Sequence, residues 1–471
     1  MSAKPTRLMR SAREVTLAGA LMYGGAVNSS ISNTVVVVAF PVFAEVFHQT
    51  PGVVAWIAIC FTLTSASLLT ACGRLSDMHG RRGLYALGLS IFVVGTVLCS
   101  LSANIGMLLG FRIMQGMGAA LVNANSLAYL VEIYPANRRG SIVGLWEACI
   151  AAGIAVGPII GGLLQAAFGW RSLFYVSIPL SLVVLALVPR FMFEPERPIR
   201  RQRFDVPGAL LFASGVASLL YAFTDGYDRG FTSPLILACL GYFLAATLAF
   251  LWVERTVSQP MIDLGMFSNW KFSAGSAAKV FAYAPYAAHS FLLPFYLEQA
   301  AQLPSAQVGL ALLPLAVGHM TASLLSGQLS DRFGARFMAP LGLAIEGAGA
   351  LLFTQVRPEN GLGLLLVAMF LGGAGLGTFI APNDSSILSV TQPDKLGVAN
   401  GIMGISRQFG IVLGYSAAAG LLGARTAING GMFVAAFHDV YLVIAVVAFA
   451  GIWLAALRGK RPPSTRLAVT V

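Results

Sequence analysis

Apolar runs of about twenty residues recur along the whole chain, separated by short stretches that hold most of the polar and charged positions. About twenty apolar residues in a helix, at 1.5 Å each, cover the roughly 30 Å of bilayer hydrocarbon. The pattern predicts helical spans at Val15–Phe40, Val53–Cys72, Leu84–Leu101, Ile105–Leu130, Ser141–Phe168, Leu173–Phe193 and Pro207–Phe223. It predicts seven more at Leu235–Val253, Phe272–Leu297, Val308–Leu325, Met338–Phe353, Leu362–Leu388, Val398–Leu422 and Val440–Leu457. The expected fold class is an all-α polytopic membrane protein of fourteen spans, an even number that puts both termini on one side.

Composition agrees. Of 471 residues, 57% are hydrophobic and 10% charged, against about 25% charged in a soluble domain. The formal charge of +11 does not imply nucleic acid, because the basic residues sit in short loops between apolar runs. Those loops orient the chain. With the N-terminus taken as cytoplasmic, loops on that side hold 23 Lys and Arg, and the opposite loops hold four: Arg171, Arg229, Arg357 and Arg425. Both ends are therefore expected in the cytoplasm and the protein in the cell (inner) membrane. The basic N-terminus (Lys4, Arg7, Arg10, Arg13) precedes no convincing cleavage site and reads as the flank of an uncleaved first span. The five cysteines fall in apolar segments without pairing or metal spacing, as buried inert thiols do. No metal or nucleophile–base constellation appears, so neither an enzyme nor a bound cofactor is expected.

The chain repeats itself. Gly73-Arg-Leu-Ser-Asp77-Met-His-Gly80-Arg81-Arg82 is echoed 254 residues later by Gly327-Gln-Leu-Ser-Asp331-Arg-Phe-Gly334-Ala-Arg336, with six of ten positions matching. Pro41 and Pro294, each closing a span, lie 253 residues apart. Two landmarks with nearly one offset indicate duplicated six-helix halves. The expected domains are 1–189 (first bundle), 190–205 (cytoplasmic linker), 206–255 (two inserted helices), 256–458 (second bundle) and 459–471 (cytoplasmic tail).

These motifs resemble those of the major facilitator superfamily. The G-x-L-S-D-x-x-G-R-R loop is similar to its signature loop, and Arg112-x-x-Gln115-Gly116-x-Gly118 to its fourth-helix motif. Gly153-x-x-x-Gly157-Pro158-x-x-Gly161-Gly162 resembles the fifth-helix motif of its antiporters. Trp170-Arg171, Phe204-Asp205 and Pro294-Phe-Tyr-Leu-Glu298 fit its fourteen-helix drug:proton antiporter branch. The resemblance implies two six-helix bundles around a central cavity and proton-coupled export of small amphiphilic compounds by alternating access. It also implies that Asp77 pairs with Arg81 and docks near Val398, with Asp331 docking near Ser141, contacts that bias the access equilibrium. Gly73, Gly80, Arg82, Gly327, Gly334 and Arg336 complete these gating loops.

Charges within spans are costly and are functional suspects. The family motif gives Arg112 a role in proton or substrate coupling. Glu147 is the leading proton carrier and Asp384 a further candidate, although Asp384 and Glu132 fall at helix ends where a membrane role is weakly supported. Gly153, Gly157 and Gly161, four residues apart, share a stripe that admits a close neighbouring backbone, and Pro158 can kink the helix. This suits a seal near the outer face. Glu346 aligns with a peripheral helix and reads as structural, and His289 and His319 as satisfied core histidines. By analogy to the family, the cavity offers Asn28, Ser32, Asn33, Gln115, Asn123, Asn125, Tyr283, Tyr286 and Asn383, with Lys279 and Arg407. Ser32 stands where cation-handling relatives carry an acid. Together with Arg112 and Lys279, this favours neutral, zwitterionic or anionic substrates over dications. Export of an anionic or amino-acid-like metabolite, and a receptor or scaffold without flux, stay open. The expected partners are the substrate, protons and the lipid bilayer, the expected state a monomer, and a periplasmic adaptor is left open.

Overall fold

The computed structural model describes residues 12–134, 139–193, 205–257, 260, 262, 264–392 and 396–456, and among these no strand occurs. The first helices are α1 (Ala12–Thr34), a short α2 (Phe40–Val46), α3 (Pro51–His79), α4 (Arg81–Ser100), α5 (Ile105–Ile133) and α6 (Arg139–Phe168). A four-residue α7 (Ser172–Tyr175) leads into α8 (Ser177–Phe191), then α9 (Val206–Arg229) and α10 (Pro234–Thr256). The remainder are α11 (Trp270–Phe295), α12 (Ser305–Ala311), α13 (Leu313–Phe333), α14 (Ala335–Phe353), α15 (Gly363–Ser389), α16 (Leu396–Ile428) and α17 (Phe433–Ala456). Polar caps start several of them. Asn104 Oδ1 accepts from the Met107 amide at 2.9 Å, and Asp205 Oδ1 from the Gly208 amide at 2.9 Å, meeting amides that a first helical turn leaves unpaired.

Among the described residues, thirteen of the fourteen expected spans coincide with helical stretches long and apolar enough to cross a bilayer. The exception is α11. Its 26 residues would cross a bilayer by length, but Lys271, Lys279, His289 and several serines lower its apolarity. Large apolar side chains point outward, among them Phe168, Leu248, Trp252, Leu324 and Trp453, as lipid-facing surfaces require.

The duplication is visible in the backbone. The α12–α13 pair starts and ends 254 residues after the start and end of α3, and α14 starts 254 residues after α4. At the two loop glycines the chain takes one unusual conformation, φ 93° and ψ 138° at Gly80, φ 85° and ψ 147° at Gly334. A side chain is strained there, so glycine is required in both copies. Each glycine amide donates to the serine carbonyl four residues back, Ser76 at 3.1 Å and Ser330 at 2.9 Å.

The chain forms two compact units. The first runs to Met261 and adds Ser290–Leu313 and Tyr415–Phe433; the second takes Ile262–His289, Pro314–Gly414 and the chain from Val434. In the first unit, α9 and α10 are joined by Ser218 Oγ donating to the Cys239 carbonyl (2.9 Å) and the Tyr242 hydroxyl donating to Ser214 Oγ (2.9 Å). The pair is held by α3 and by the end of α16, where Ser416 Oγ donates to the Leu220 carbonyl at 2.8 Å.

Candidate functional site: a buried guanidinium and a buried ion pair

In the first unit, Arg112 lies about 10 Å along α5 from its start and is fully buried. Its Nε donates to the Ile57 carbonyl of α3 at 2.8 Å, and Nη1 donates to Gln115 Oε1 at 2.6 Å. Longer contacts of 3.4 Å reach the Ser32 carbonyl and Asn33 Oδ1 on α1. The guanidinium carbon sits 4.5 Å from the centre of the Phe61 ring, within cation–π range. Gln115 Nε2 in turn donates to Ser32 Oγ at 2.9 Å and Thr96 Oγ1 at 2.7 Å, and Thr62 Oγ1 reaches Asn33 Oδ1 at 3.4 Å. The network around one cation thus draws on four helices, α4 entering through Gln115, and among the described residues each acceptor of the cation is neutral. A charge buried without a counter-charge is costly, although each hydrogen bond to it returns roughly 1.5–3 kcal/mol. The arrangement can receive an anion.

The second unit holds a different arrangement. Lys279 of α11 donates to both carboxylate oxygens of Asp384 on α15, at 3.0 and 2.8 Å, and Asn383 Nδ2 adds a bond of 3.1 Å to the same carboxylate. Lys279, whose charge the sequence counted toward substrate preference, therefore has a counter-charge. Its charge is balanced by Asp384, which lies 105 positions away in the chain.

The other expected positions divide. Asn28 Nδ2 donates to the Ser177 carbonyl (3.2 Å) and Ser181 Oγ (2.7 Å), tying α1 to α8. Asn123 Nδ2 reaches Ser29 Oγ at 3.2 Å, and Asn125 Nδ2 donates one turn back to the Leu121 carbonyl at 2.7 Å. Tyr283 and Tyr286 are buried on α11, Tyr286 with its ring edge-on to His319 at 5.4 Å. Arg407 is half-buried on α16.

Glycines of the fifth-span motif make backbone-close contacts within the first unit. A Cβ on Gly153 would lie 2.7 Å from Ser30 Cβ, one on Gly161 would lie 2.7 Å from the Val35 carbonyl, and one on Gly157 would strike Thr34. Thus α6 lies directly on α1. Gly162 faces α12 instead, where an added Cβ would lie 2.9 Å from Gly309 Cα.

At the loops, Arg81 forms an ion pair with Glu132 at 3.5 Å, joining the start of α4 to the end of α5. Arg82 and Arg336 are exposed, and Gly73 and Gly327 have open space where a Cβ would point. The side chains of Asp77, Asp331 and Glu147 lie outside the described residues, although their backbones belong to α3, α13 and α6. Two of the five cysteines, Cys72 and Cys99, are buried; Cys60, Cys149 and Cys239 are half-buried, and all five are free thiols. The sequence did not point to Phe61, Thr62 or Thr96 as partners of Arg112 and Gln115, nor to Glu132 as the partner of Arg81. A polar residue repeated on successive helices at similar depth is the signal that could have found the two threonines.

The family model described as Major Facilitator Superfamily matches residues 22–268 and 275–470. The chain belongs to the Major Facilitator Superfamily. This facilitator is 30% identical over 440 residues to "Riboflavin transporter RibZ" of Clostridioides difficile, covering 91% of this chain and 94% of that one. It is 31% identical over 393 residues to "Multidrug resistance protein Stp" of Mycobacterium tuberculosis, covering 83% and 72%. It is also 30% identical over 392 residues to "Methylenomycin A resistance protein" of Bacillus subtilis, covering 83% and 84%. Among solved structures, an inward-facing, unoccupied bacterial homologue of the human lysosomal transporter Spinster aligns at a TM-score of 0.68 and 15% identity, over 97% of this chain and all of that one. At that identity the likeness bears on the fold alone. This facilitator is a multi-pass membrane transporter and not an enzyme.

Proposed function

We propose that this facilitator is a proton-coupled exporter of small amphiphilic compounds, working by alternating access. The observation that carries the reading is Arg112, a fully buried cation whose hydrogen-bond acceptors are all neutral. An isolated intramembrane charge is retained where it serves transport, and the group that completes this one is an anion. Two sources supply it in an exchange cycle: a carboxylate that has released its proton, or an acidic group on the substrate. Glu147 on α6 is the proposed proton carrier. The glycine stripe Gly153, Gly157 and Gly161 is proposed to keep α6 sealed against α1 while the exchange proceeds, with Asp77 and Asp331 as gates. Drug-resistance relatives support export of compounds foreign to the cell.

A second reading, export of an anionic or amino-acid-like metabolite, is favoured by the metabolite carrier among the relatives and by the same unbalanced cation. The charge preference no longer draws on Lys279, which Asp384 neutralises. A matched set of anionic, neutral and dicationic amphiphiles, assayed in proteoliposomes, tests the proposal. Anionic and neutral members should be transported, and Arg112→Gln should impair the anionic one most. Efficient transport of the dication by both forms would overturn the charge argument.

A further inference from the structure

α15 carries four glycines within six positions, Gly372, Gly373, Gly375 and Gly377, and helices α13 and α14 press on them. A Cβ on Gly375 would lie 2.5 Å from the Cβ and backbone nitrogen of Glu346 on α14. One on Gly349 would lie 2.8 Å from the Gly372 nitrogen, so α14 and α15 meet backbone to backbone. Glu346 is fully buried in this seam, and among the described residues neither of its carboxyl oxygens has a hydrogen-bond partner. His289 of α11 presents its Nε2 edge 3.1 Å from the Cβ position of Gly372, and that nitrogen also lacks a partner. Its Nδ1 lies 3.3 Å from the Tyr441 hydroxyl.

The repeat shows what this position needs for packing. The residue 254 places earlier is Phe92, buried on α4, and a Cβ on Gly118 of α5 would lie 2.5 Å from its backbone nitrogen. The first half therefore builds the same seam with a hydrophobe. An acid in its place adds a desolvation cost and no bond, so packing does not account for it. A carboxylate with both oxygens out of reach of donors is prohibitively costly in such a seam, whereas the neutral acid is not.

We propose that Glu346 is a proton-binding site of the transport cycle, loaded in this conformation and released when the α14–α15 seam opens to water. The proposal rests on the proton-coupled reading for its purpose but not for its chemistry. The titratable and charged groups on these elements are Lys271, Lys279, Tyr283, Tyr286 and His289 on α11, His319, Asp331 and Arg332 on α13, Arg336 on α14, Asp384 on α15, and His438, Asp439 and Tyr441 on α17. None of them donates to Glu346. Lys279 is held by Asp384 about 15 Å along α11 from His289.

The test needs no identified substrate. Infrared spectra of the full chain in lipid should show, at pH 7, the carbonyl band of a buried neutral carboxylic acid that Glu346→Gln removes. Hydrogen exchange in α14, corrected for its intrinsic pH dependence, should rise at least several-fold between pH 6 and pH 9 in the wild type and stay flat in Glu346→Gln. Glu346→Phe, which copies Phe92, controls for packing and should fold with a thermal midpoint near that of the wild type. A spectrum unchanged by Glu346→Gln, or α14 exchange that follows pH equally in both forms, would overturn the proposal. If the band is present but the wild type moves no protons against substrate, the proton-coupled reading fails while the binding site stands.

Discussion

Removing Lys279 strands Asp384. The ammonium is 3% exposed and the carboxylate 20% exposed, so water offers the acid partial relief. Breaking a buried pair by deleting one partner costs about 3–5 kcal/mol, and the exposure of the acid places this pair at the lower end. Lys279→Met should therefore lose about 3 kcal/mol. The double variant with Asp384→Asn should stand well above Lys279→Met at pH 7, because it leaves no stranded charge. Thermal unfolding in detergent of the wild type, both single variants and the double variant gives the coupling energy directly. Strictly additive losses would show that the two groups do not act as a pair.

Asp77→Asn should leave the protein inserted and folded yet cut transport strongly, and Asp331→Asn should be milder because the second loop departs more from the family pattern; normal transport by a well-expressed Asp77→Asn protein would sink the gating role. Glu147→Gln should abolish substrate-driven proton release while leaving exchange without a gradient, and unchanged proton flux would move the carrier role elsewhere. Beyond the end of α11, burial raises the Glu298 carboxyl above its usual 4.5, with Glu45 adding to the rise and the Ser305 hydroxyl opposing it. Its ionised form is the disfavoured one, so this contribution to stability is lost as pH climbs from 4.5 through the raised value. Glu298→Gln should flatten that part of the stability profile, and an identical profile in both proteins would count against it.

The helices were legible because a bilayer leaves the chain few alternatives: each run of about twenty apolar residues has to bury its own backbone bonds. The same apolar pattern placed α11, although Lys271, Lys279 and His289 interrupt it. The conformation shared by Gly80 and Gly334 was encoded in their matching loops, since only glycine tolerates it. Partnerships between distant helices were not legible. Lys279 and Asp384 each look like an isolated charge on an apolar helix, and nothing in either segment's period says that α11 and α15 bring them within 3 Å. Nor was Glu132 legible as a partner of Arg81, since the fold brings it there from the end of α5. Glu346 read as structural because its helix aligns with a peripheral one; its two unpartnered oxygens become visible only in the packed seam.

The proposed exchange of substrate for protons is open to direct measurement. Its most direct test is proton movement in proteoliposomes that enclose a pH-sensitive dye, challenged with the matched anionic, neutral and dicationic amphiphiles. An anionic or neutral compound should move opposite to protons, and an imposed pH gradient should drive it uphill, with a protonophore abolishing the accumulation. Transport that proceeds at the same rate and to the same extent with and without a pH gradient, and with no change in internal pH, would contradict it.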